Sequence, residues 1–326
     1  MLSQLIMKRK RYYIVRLAQS LITLWLILTL NFFLFRLLPG DPIRLLFSDP
    51  RIPLETLEGL RTQFGLDGTL WQQYGFYLLN TLKGELGTSF VYNTPVSKLL
   101  AERLVNTVIL LFPATVLSIL LGCVFGIVAA VRYGRASDFI ALSLSQLLWA
   151  TPAFWLGLLF MMFAGGLLPL SGMVTAGLSA PSLWERALDL GRHLLMPMIT
   201  LTLVMLGQYA IVMRNSLLDV LTENYMLTAK AKGLNGLRRL FSHALPNAVL
   251  PVITLAAINL GLLIGGAIQT ETVFTWPGVG RLVFEALLQR DYPVLQGAFL
   301  VISVCALLAN LAADLLYSAV DPRVRA

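Results

Sequence analysis

Long apolar runs are the feature of this sequence that most restricts its fold. A helix needs about 20 mostly apolar residues to cross the hydrocarbon core of a bilayer. Six segments meet this length, at about residues 14–38, 104–131, 138–165, 194–214, 248–274 and 294–317. Backbone inside lipid must satisfy its own hydrogen bonds, so these runs predict helices. We therefore expect an all-α membrane protein with six transmembrane helices, TM1 at 14–38 and TM2 to TM6 within a core at 104–317.

The composition agrees with a membrane location. Hydrophobic residues make up 57% of the chain and charged residues only 13%, whereas soluble domains carry about 25% charged residues. The net charge of +8 is then better explained by topology than by binding to nucleic acid. We expect a multi-pass protein of the cell (inner) membrane whose surroundings are lipid, with no nucleic-acid partner.

The distribution of basic residues predicts the orientation. Lys and Arg exceed Asp and Glu in the N-terminus (1–13), in the alternate connections and in the C-terminus (318–326), whereas the other connections are nearly balanced. Cytoplasmic segments of membrane proteins carry an excess of Lys and Arg. Both termini and the connection at 215–247 are therefore predicted to be cytoplasmic.

The first outer connection, residues 39–103, is too long to lack structure in a compact protein. Helical patterning is present at Leu54–Phe64 and Leu70–Leu82. We expect a small helical external layer between helices 1 and 2.

Two patterns within the predicted spans concern helix shape and packing. Pro152 lies inside the third span and predicts a kink, which could act as a hinge or serve packing alone. Gly122 and Gly126 form a G-x-x-x-G pattern in the second span, which suits a close contact between helices.

One polar segment, residues 222–251, interrupts the apolar pattern and is predicted to form two short helices around a hinge. Thr222 or Asn224 can cap the first helix through its side-chain oxygen. Gly233 follows as a C′ residue that is free to take a positive φ, and Leu234 can make the accompanying apolar contact. Asn235 can cap a second helix that runs to about Leu245.

The first of these helices has one distinctive face. Tyr225, Met226 and Ala229 share it by i, i+3/i+4 spacing. An aromatic and small-residue face suits a helix that lies in a groove on a partner. The alternative is an ordinary amphipathic loop helix on the lipid surface, and periodicity alone does not separate the two.

This segment resembles the "EAA" loop of permeases from binding-protein-dependent ABC importers. The spacing from Gly233 to Leu245 and Pro246 is that of the family, and the peptide and nickel branch pattern is present at Tyr225, Thr228, Ala229, Ala231, Lys232 and Gly233. Leu227 and Thr228 replace the Glu and Ala of the general pattern, and His243 replaces its Ile. Residues 84–89, 271–280 and 291–297 are also similar to this branch.

The resemblance implies a type I ABC importer permease fold and one half of a translocation pathway for di/oligopeptides. It implies a second homologous permease chain, two ATP-binding subunits that use ATP, and an extracytoplasmic solute-binding protein. It places contact with the ATPase in the cytoplasmic segment 215–247, here called the coupling segment, at Glu223, Tyr225, Met226, Thr228, Ala229, Lys230, Ala231, Lys232, Gly233, Leu234, Leu245 and Pro246.

Other functions stay open at this stage. A nickel or metal-chelate importer of the same family is one alternative. A secondary transporter driven by an ion gradient is another, although no repeat and no acidic residue at mid-membrane supports it. A membrane scaffold or receptor subunit that does not transport is the third.

Polar residues in the spans are candidates for the pathway or a gate, because their exposure to lipid is unfavourable. Gln208 and Asn259 could face a pathway or join two helices. Glu271, with Gln269 nearby, could line an outer gate or anchor the following loop. Asp314, near the predicted cytoplasmic end of the last span, is expected to have a structural role.

Motifs for catalysis are absent from the sequence. We find no G-x-x-x-x-G-K-[ST] phosphate loop, no H-E-x-x-H pair and no nucleophile elbow. His193 and His243 lack metal-site spacing, and Cys123 and Cys305 lie in apolar runs, as expected of packing residues. We therefore predict no catalytic, cofactor-binding or metal site in this chain, and no enzymatic activity of its own.

Overall fold

The structure is a computed structural model that describes residues 2–36, 68–164, 166–177 and 182–320; the side chains at 2–13, 164, 260–266 and 313–320 are outside this description. Thirteen α-helices are present in these ranges. In chain order they are α1 Leu2–Arg36, α2 Leu70–Leu82, α3 Val96–Val131, α4 Ala136–Ala150, α5 Ala153–Ala164, α6 Leu183–Leu221, α7 Asn224–Ala231, α8 Gly236–Arg239, α9 Leu245–Ala248, α10 Leu250–Gly266, α11 Ile268–Val273, α12 Val279–Gln289 and α13 Tyr292–Val320.

Four of these helices are long and apolar enough to cross a membrane by themselves. They correspond to the first, second, fourth and sixth predicted spans, in α1, α3, α6 and α13. The third predicted span is a bent pair of helices, α4 and α5. A second bent pair, residues 236–248 and 250–259, overlaps only the first part of the fifth predicted span at 248–274, and counting each pair as one span gives six. The described part of the chain is thus an all-α membrane protein.

The third predicted span is an elbow rather than one kinked helix. The helix axis bends by 100° between α4 and α5, at Thr151 and Pro152. Proline has no backbone N–H and its ring clashes with the preceding turn, so α4 ends before it. A second break follows the coupling segment, where residues 236–248 and 250–259 bend by 41°.

Small residues bring the two longest helices into close contact. On α3, a Cβ atom added at Gly122 would lie 2.6 Å from Cβ of Tyr209, and one added at Gly126 would lie 2.6 Å from the carbonyl oxygen of Ala210. On α6, Gly207 leaves no room for a Cβ beside the carbonyl oxygen of Ser145. The predicted role of the G-x-x-x-G pattern in helix contact is confirmed, and its partner is α6.

Three apolar clusters line up along α3. The first joins the start of α3 to α12 and α13 around Leu100, Leu282 and Leu295. The middle cluster packs Leu110 against Trp276. The last cluster joins the end of α3, the second half of α6 and the coupling segment. Helix α3 therefore connects the coupling segment to the opposite end of the molecule.

Helix α2 confirms the predicted helix at Leu70–Leu82, whereas Leu54–Phe64 lies outside the described residues. Thr69 and Gln72 form a capping box at its start. The helix packs on the end of α1, where Tyr74 bonds Thr29 at 2.7 Å and Tyr77 accepts from Asn31 at 3.2 Å. A helical layer between the first and second spans is therefore present.

Two helices extend beyond the predicted apolar runs. Helix α3 begins at Val96 rather than near 104, because Val96, Leu99 and Leu100 are buried against α12 and α13. Helix α6 begins at Leu183 rather than near 194, after a capping box of Ser182 and Glu185. Hydropathy marks the lipid-crossing part of a helix, whereas caps and packing set its ends.

Candidate functional site

The start of α7 differs from the prediction. Thr222 has helical φ and ψ at the end of α6, and its hydroxyl donates to the carbonyl oxygen of Asp219 at 2.7 Å. Asn224 already lies inside α7, so the N-cap position falls to Glu223, whose side chain makes no capping bond. The prediction of a cap at Thr222 or Asn224 is therefore wrong, because Thr222 is the C-cap of α6 and Asn224 is the first residue of α7.

The end of α7 is the predicted glycine stop. Gly233 has φ +77°. Its N–H donates to the carbonyl oxygen of Lys230 at 3.0 Å, and the N–H of Leu234 donates to that of Ala229 at 3.3 Å. These two bonds form a Schellman motif, which satisfies carbonyl groups at the helix end. The prediction for Gly233 as the C′ residue is confirmed.

The buried face of α7 points toward the protein body. Met226 is 4% exposed and Ala229 is 7% exposed, and Met226 packs in the cluster that contains Met213 and Leu217 of α6. Met226 and Ala229 thus pack on this chain's own core, which neither of the two roles left open for this face describes, whereas Tyr225 is exposed; the contact of this helix with an ATPase stays a prediction. The exposed residues of this stretch are Glu223, Asn224, Tyr225, Leu227, Thr228, Lys230, Ala231, Lys232 and Gly233.

The second predicted helix contains a π-helical turn between two α-helical parts. Asn235 caps α8 as predicted, since its side-chain oxygen accepts from the N–H of Arg238 at 2.8 Å. Helix α8 ends at Arg239, a π-helical turn covers Leu240–Ala244, and α9 begins at Leu245. The predicted helix from Asn235 to about Leu245 is therefore present, with a π-helical turn inside it that the sequence did not predict. Pro246 lacks an N–H for a regular helical bond, and the wider turn lies directly before it.

Tyr225 connects the two halves of the coupling segment. Its hydroxyl accepts from the side-chain amide of Asn247 at 3.0 Å and donates to the carbonyl oxygen of His243 at 3.4 Å. The same amide of Asn247 donates to His243 at 3.1 Å. Helix α7 is thereby bonded to α9 as well as packed on α6.

An ion pair that the sequence analysis did not identify lies close to this segment. The guanidinium of Arg214 on α6 binds both carboxylate oxygens of Asp138 at the start of α4, at 2.7 and 2.9 Å. The side chains are 13% and 7% exposed. Asp138 also accepts from the N–H of Gly134, and Arg214 lies 5.4 Å from the ring centre of Tyr133. The pair fixes the turn between α3 and α4 to α6.

Gln208 and Asn259 join two helices. The side-chain amide of Asn259 on α10 donates to Gln208 at 3.3 Å and to the hydroxyl of Tyr209 at 3.1 Å on α6. Of the two roles left open by the sequence, these bonds favour the contact between helices.

Glu271 anchors a loop. Its side chain is completely buried. One carboxylate oxygen accepts from the hydroxyl of Thr107 at 2.7 Å and the other accepts from the N–H of Arg281 at 3.0 Å. The hydroxyl of Thr107 in turn accepts from the N–H of Val279 at 2.8 Å. The geometry favours the anchoring role over the gate, whereas its neighbour Gln269 is exposed.

The loop after Glu271 is also clamped to α3 by backbone contacts. The indole N–H of the buried Trp276 donates to the carbonyl oxygen of Asn106 at 2.8 Å, and the side chain of Asn106 donates to the carbonyl oxygen of Pro277 at 2.9 Å. Residues 271–281 therefore form a rigid element held by consecutive residues of α3.

A second buried carboxylate joins distant parts of the chain. Asp291 is 0% exposed and accepts from the hydroxyl of Ser89 and from the N–H groups of Phe90 and Val91. The turn before α3 is thus held at the junction of α12 and α13. Nearby, burial and a bond to Glu285 raise the pKa of Tyr92.

The remaining polar candidates do not form a metal-binding cluster in the described part of the chain. No group of three or more His, Cys, Asp or Glu side chains is arranged there to hold an ion. His193 is buried and its Nδ1 bonds the carbonyl oxygen of Asp189 at 2.9 Å. The side chain of Asp314 lies outside the described residues.

The fold and these sites define a polytopic helical membrane protein with a helix–glycine–helix segment packed on its core. The family described as "Binding-protein-dependent transport system inner membrane component" matches residues 122–326, and the N-terminal part of such membrane components matches residues 9–111. The chain belongs to this family of membrane transport components.

Individual relatives cover almost the whole chain. The dipeptide transport system permease protein DppB of Escherichia coli (strain K12) is 36% identical over 333 residues, covering 96% of this chain and 98% of the relative. The glutathione transport system permease protein GsiC of Salmonella typhi is 36% identical over 314 residues, with the same coverage.

A solved structure shares the fold. The MetNI methionine ABC transporter, in an inward-facing conformation, matches with a TM-score of 0.54 at 17% sequence identity, over 68% of this chain and 96% of the matched chain. This similarity identifies the type I ABC importer permease fold.

Proposed function

We propose that this chain is a permease subunit of an ATP-driven importer and forms half of a translocation pathway for short peptides. The observation that carries the proposal is identity of 36% along 96% of the chain to two permeases whose names specify a dipeptide and glutathione, itself a small peptide. Both termini and the coupling segment lie in the cytoplasm in this proposal, in agreement with the excess of Lys and Arg there.

The exposed part of the coupling segment is the proposed contact for ATP-binding subunits. Leu227 and Tyr225 are 61% and 40% exposed, and Lys230 and Lys232 extend beside them. Met226 and Ala229 hold α7 on the core, so a force applied to the exposed face is passed to α6. Leu245 and Pro246 belong to the joint that follows.

The proposed mechanism is alternating access. ATP binding closes a pair of ATPase subunits, which moves α7 and opens the pathway toward a solute-binding protein on the outer side. Hydrolysis returns the pathway to the cytoplasm. The pathway has two halves, one from this chain and one from a second homologous permease chain. Such a cycle requires the ATPase subunits to bind the two permease states with different affinity.

Uptake in cells that lack this chain tests the cargo. Labelled dipeptide, glutathione, a longer peptide and nickel are compared with and without the chain restored. Peptide uptake should require the chain, and nickel uptake should not. Loss of nickel uptake alone would overturn the peptide assignment in favour of metal or metal-chelate import.

Purification of the restored chain tests the energy source. ATP-binding subunits should co-purify, and replacement of residues 223–246 by a flexible linker should abolish their association. Peptide uptake that follows an ion gradient and needs no ATP-binding subunit would contradict the ATP-driven mechanism. The same outcome would favour a secondary transporter.

A further inference from the structure

The bond between Tyr225 and Asn247 spans a joint in the chain. Tyr225 lies in the first turn of α7, and Asn247 lies in α9, directly after the π-helical turn and Pro246. The 41° bend to α10 follows within three residues. Wide turns and prolines are common causes of bends in helices. The bond therefore links the helix exposed to a partner with the base of the fifth predicted span.

The chemistry of this contact suits a reversible connection. Tyr225 and Asn247 are both exposed, so water can replace either partner when the bond opens, and the net stabilisation from such a bond is modest. The attachment of α7 to the body does not depend on it, because Met226 and Ala229 are buried on another face. The contact can thus open while α7 stays folded and attached.

The two residues of this contact share one hydrogen-bond acceptor in the π-helical turn. The Tyr225 hydroxyl and the Asn247 amide both donate to the carbonyl oxygen of His243, which belongs to the π-helical turn. A displacement of α7 therefore acts on the turn and on α9 together. The buried Met226 lies in an apolar cluster with Met213 and Leu217 of α6, and this cluster also contains Ala248 of α9 and Val252 of α10. The polar contact of Tyr225 with Asn247 is therefore a second, directional connection from α7 to the joint before α10.

We propose that Asn247 is a positioning residue which, with Tyr225, forms a latch that transmits movement of α7 to α10. The latch rests on the proposed function, in which α7 receives force from ATP-binding subunits. Asn247 acts through Tyr225 and the π-helical turn and contacts neither ATP nor cargo in this scheme. The buried Met226 supplies apolar attachment to the core, and the latch supplies a directional polar bond from α7 to the joint before α10.

The test uses the complete transporter in lipid vesicles with loaded binding protein. Tyr225→Phe removes the hydroxyl and keeps the ring, and Asn247→Ala removes the amide. Each variant should lower the number of peptides transported per ATP hydrolysed by about two- to tenfold, the range for one net hydrogen bond. The double variant should lose no more than the single variants, since each single substitution already removes the bond between Tyr225 and Asn247. Ser242→Ala, an exposed hydroxyl in the same turn, is the matched control.

Hydrogen exchange supplies a readout that does not depend on transport. Amides of Asn224–Ala231 should exchange faster in Asn247→Ala than in the Ser242→Ala control, because opening of α7 is easier without the latch. Unchanged exchange, an unchanged transport ratio or multiplicative losses in the double variant would each overturn the latch. If the unsubstituted transporter hydrolyses ATP without peptide uptake, the proposed function fails instead. If the amides of α7 still exchange faster in Asn247→Ala in that case, the bond between Tyr225 and Asn247 stabilises α7 but transmits no movement, which overturns its proposed role in transmission.

Discussion

Glu271 fills the space beside Gly278 that any other residue would need for its side chain. A Cβ atom added at Gly278 would overlap the carboxylate carbon and both carboxylate oxygens of Glu271. Gly280 is similarly restricted, since its Cβ would lie 2.7 Å from Cα of Ile268. The loop between α11 and α12 therefore closes tightly around the buried carboxylate of Glu271. This carboxylate keeps its position only if residues 278 and 280 are glycines.

Gly278→Ala should destabilise the protein. The added methyl group must displace Glu271 from its bonds, and overpacking of this kind lowers the free energy of unfolding by about 1–3 kcal/mol. Thermal unfolding of the purified chain measures the effect. Gly191→Ala on α6 is the control, because nothing lies within 4 Å of a Cβ there. Equal melting temperatures for the two variants would contradict the tight closure.

Glu271→Gln should destabilise the protein although it preserves size. Both carboxylate oxygens accept hydrogen bonds, from Thr107 and from the N–H of Arg281. In Glu271→Gln one oxygen becomes an amide nitrogen, whose N–H groups then face the donor of Thr107 or of Arg281. A buried donor is left without an acceptor, at a cost of about 1–3 kcal/mol. Thermal unfolding is again the measurement, and the control is Gln269→Glu, the reverse exchange at an exposed position close by. A melting temperature like that of the control would argue that Glu271 is not an anchor.

Gly233→Val should reduce transport more than it reduces the amount of protein in the membrane. Gly233 has φ +77°, a conformation that costs a residue with a side chain about 1–2 kcal/mol and a β-branched one more. Transport per molecule, ATP hydrolysis and membrane content are measured together. Gly236→Val, at a position with open space and no positive φ, is the control. Normal transport by Gly233→Val would show that the Schellman motif is dispensable for coupling.

Asp138→Asn should weaken the attachment of the α3–α4 turn to α6. The substitution removes the charge that Arg214 binds at 2.7 Å, and hydrogen bonds between charged groups contribute about 1.5–3 kcal/mol. Replacement of both partners, in Asp138→Asn with Arg214→Met, should restore part of the lost stability because no buried charge remains unpaired. Additive losses in the double variant would indicate that the two residues act independently.

Local sequence signals predicted the local features of this fold. The helix at Leu70–Leu82, the αL glycine at Gly233 and the cap at Asn235 all depend on residues within a few positions of one another. The close contact at Gly122 was likewise visible as spacing on one helix. Its partner helix was not, because spacing on α3 contains no information about α6.

Features that depend on distant residues were not predictable. Ser89 and Asp291 are separated by 202 positions, and both lie in segments similar to the peptide and nickel branch, yet nothing in either segment specifies the other as its partner. The face of α7 was left open between a partner's groove and the lipid surface, and only the family resemblance placed an ATPase contact there. The apolar Met226 and the small Ala229 also suit packing on this chain's own core, and only the fold shows that they do so.

The length of α4 limits how deep in the membrane the elbow between α4 and α5 can lie. Helix α4 has 15 residues, a rise of about 22 Å, which is shorter than the roughly 30 Å of a hydrocarbon core. The side chain of Thr151 donates to the carbonyl oxygen of Leu147 at 2.7 Å, while its N–H bonds Leu148 at 3.3 Å. The hydroxyl of Thr151 thus satisfies the Leu147 carbonyl at the break, which lowers the cost of placing this corner inside the hydrocarbon core.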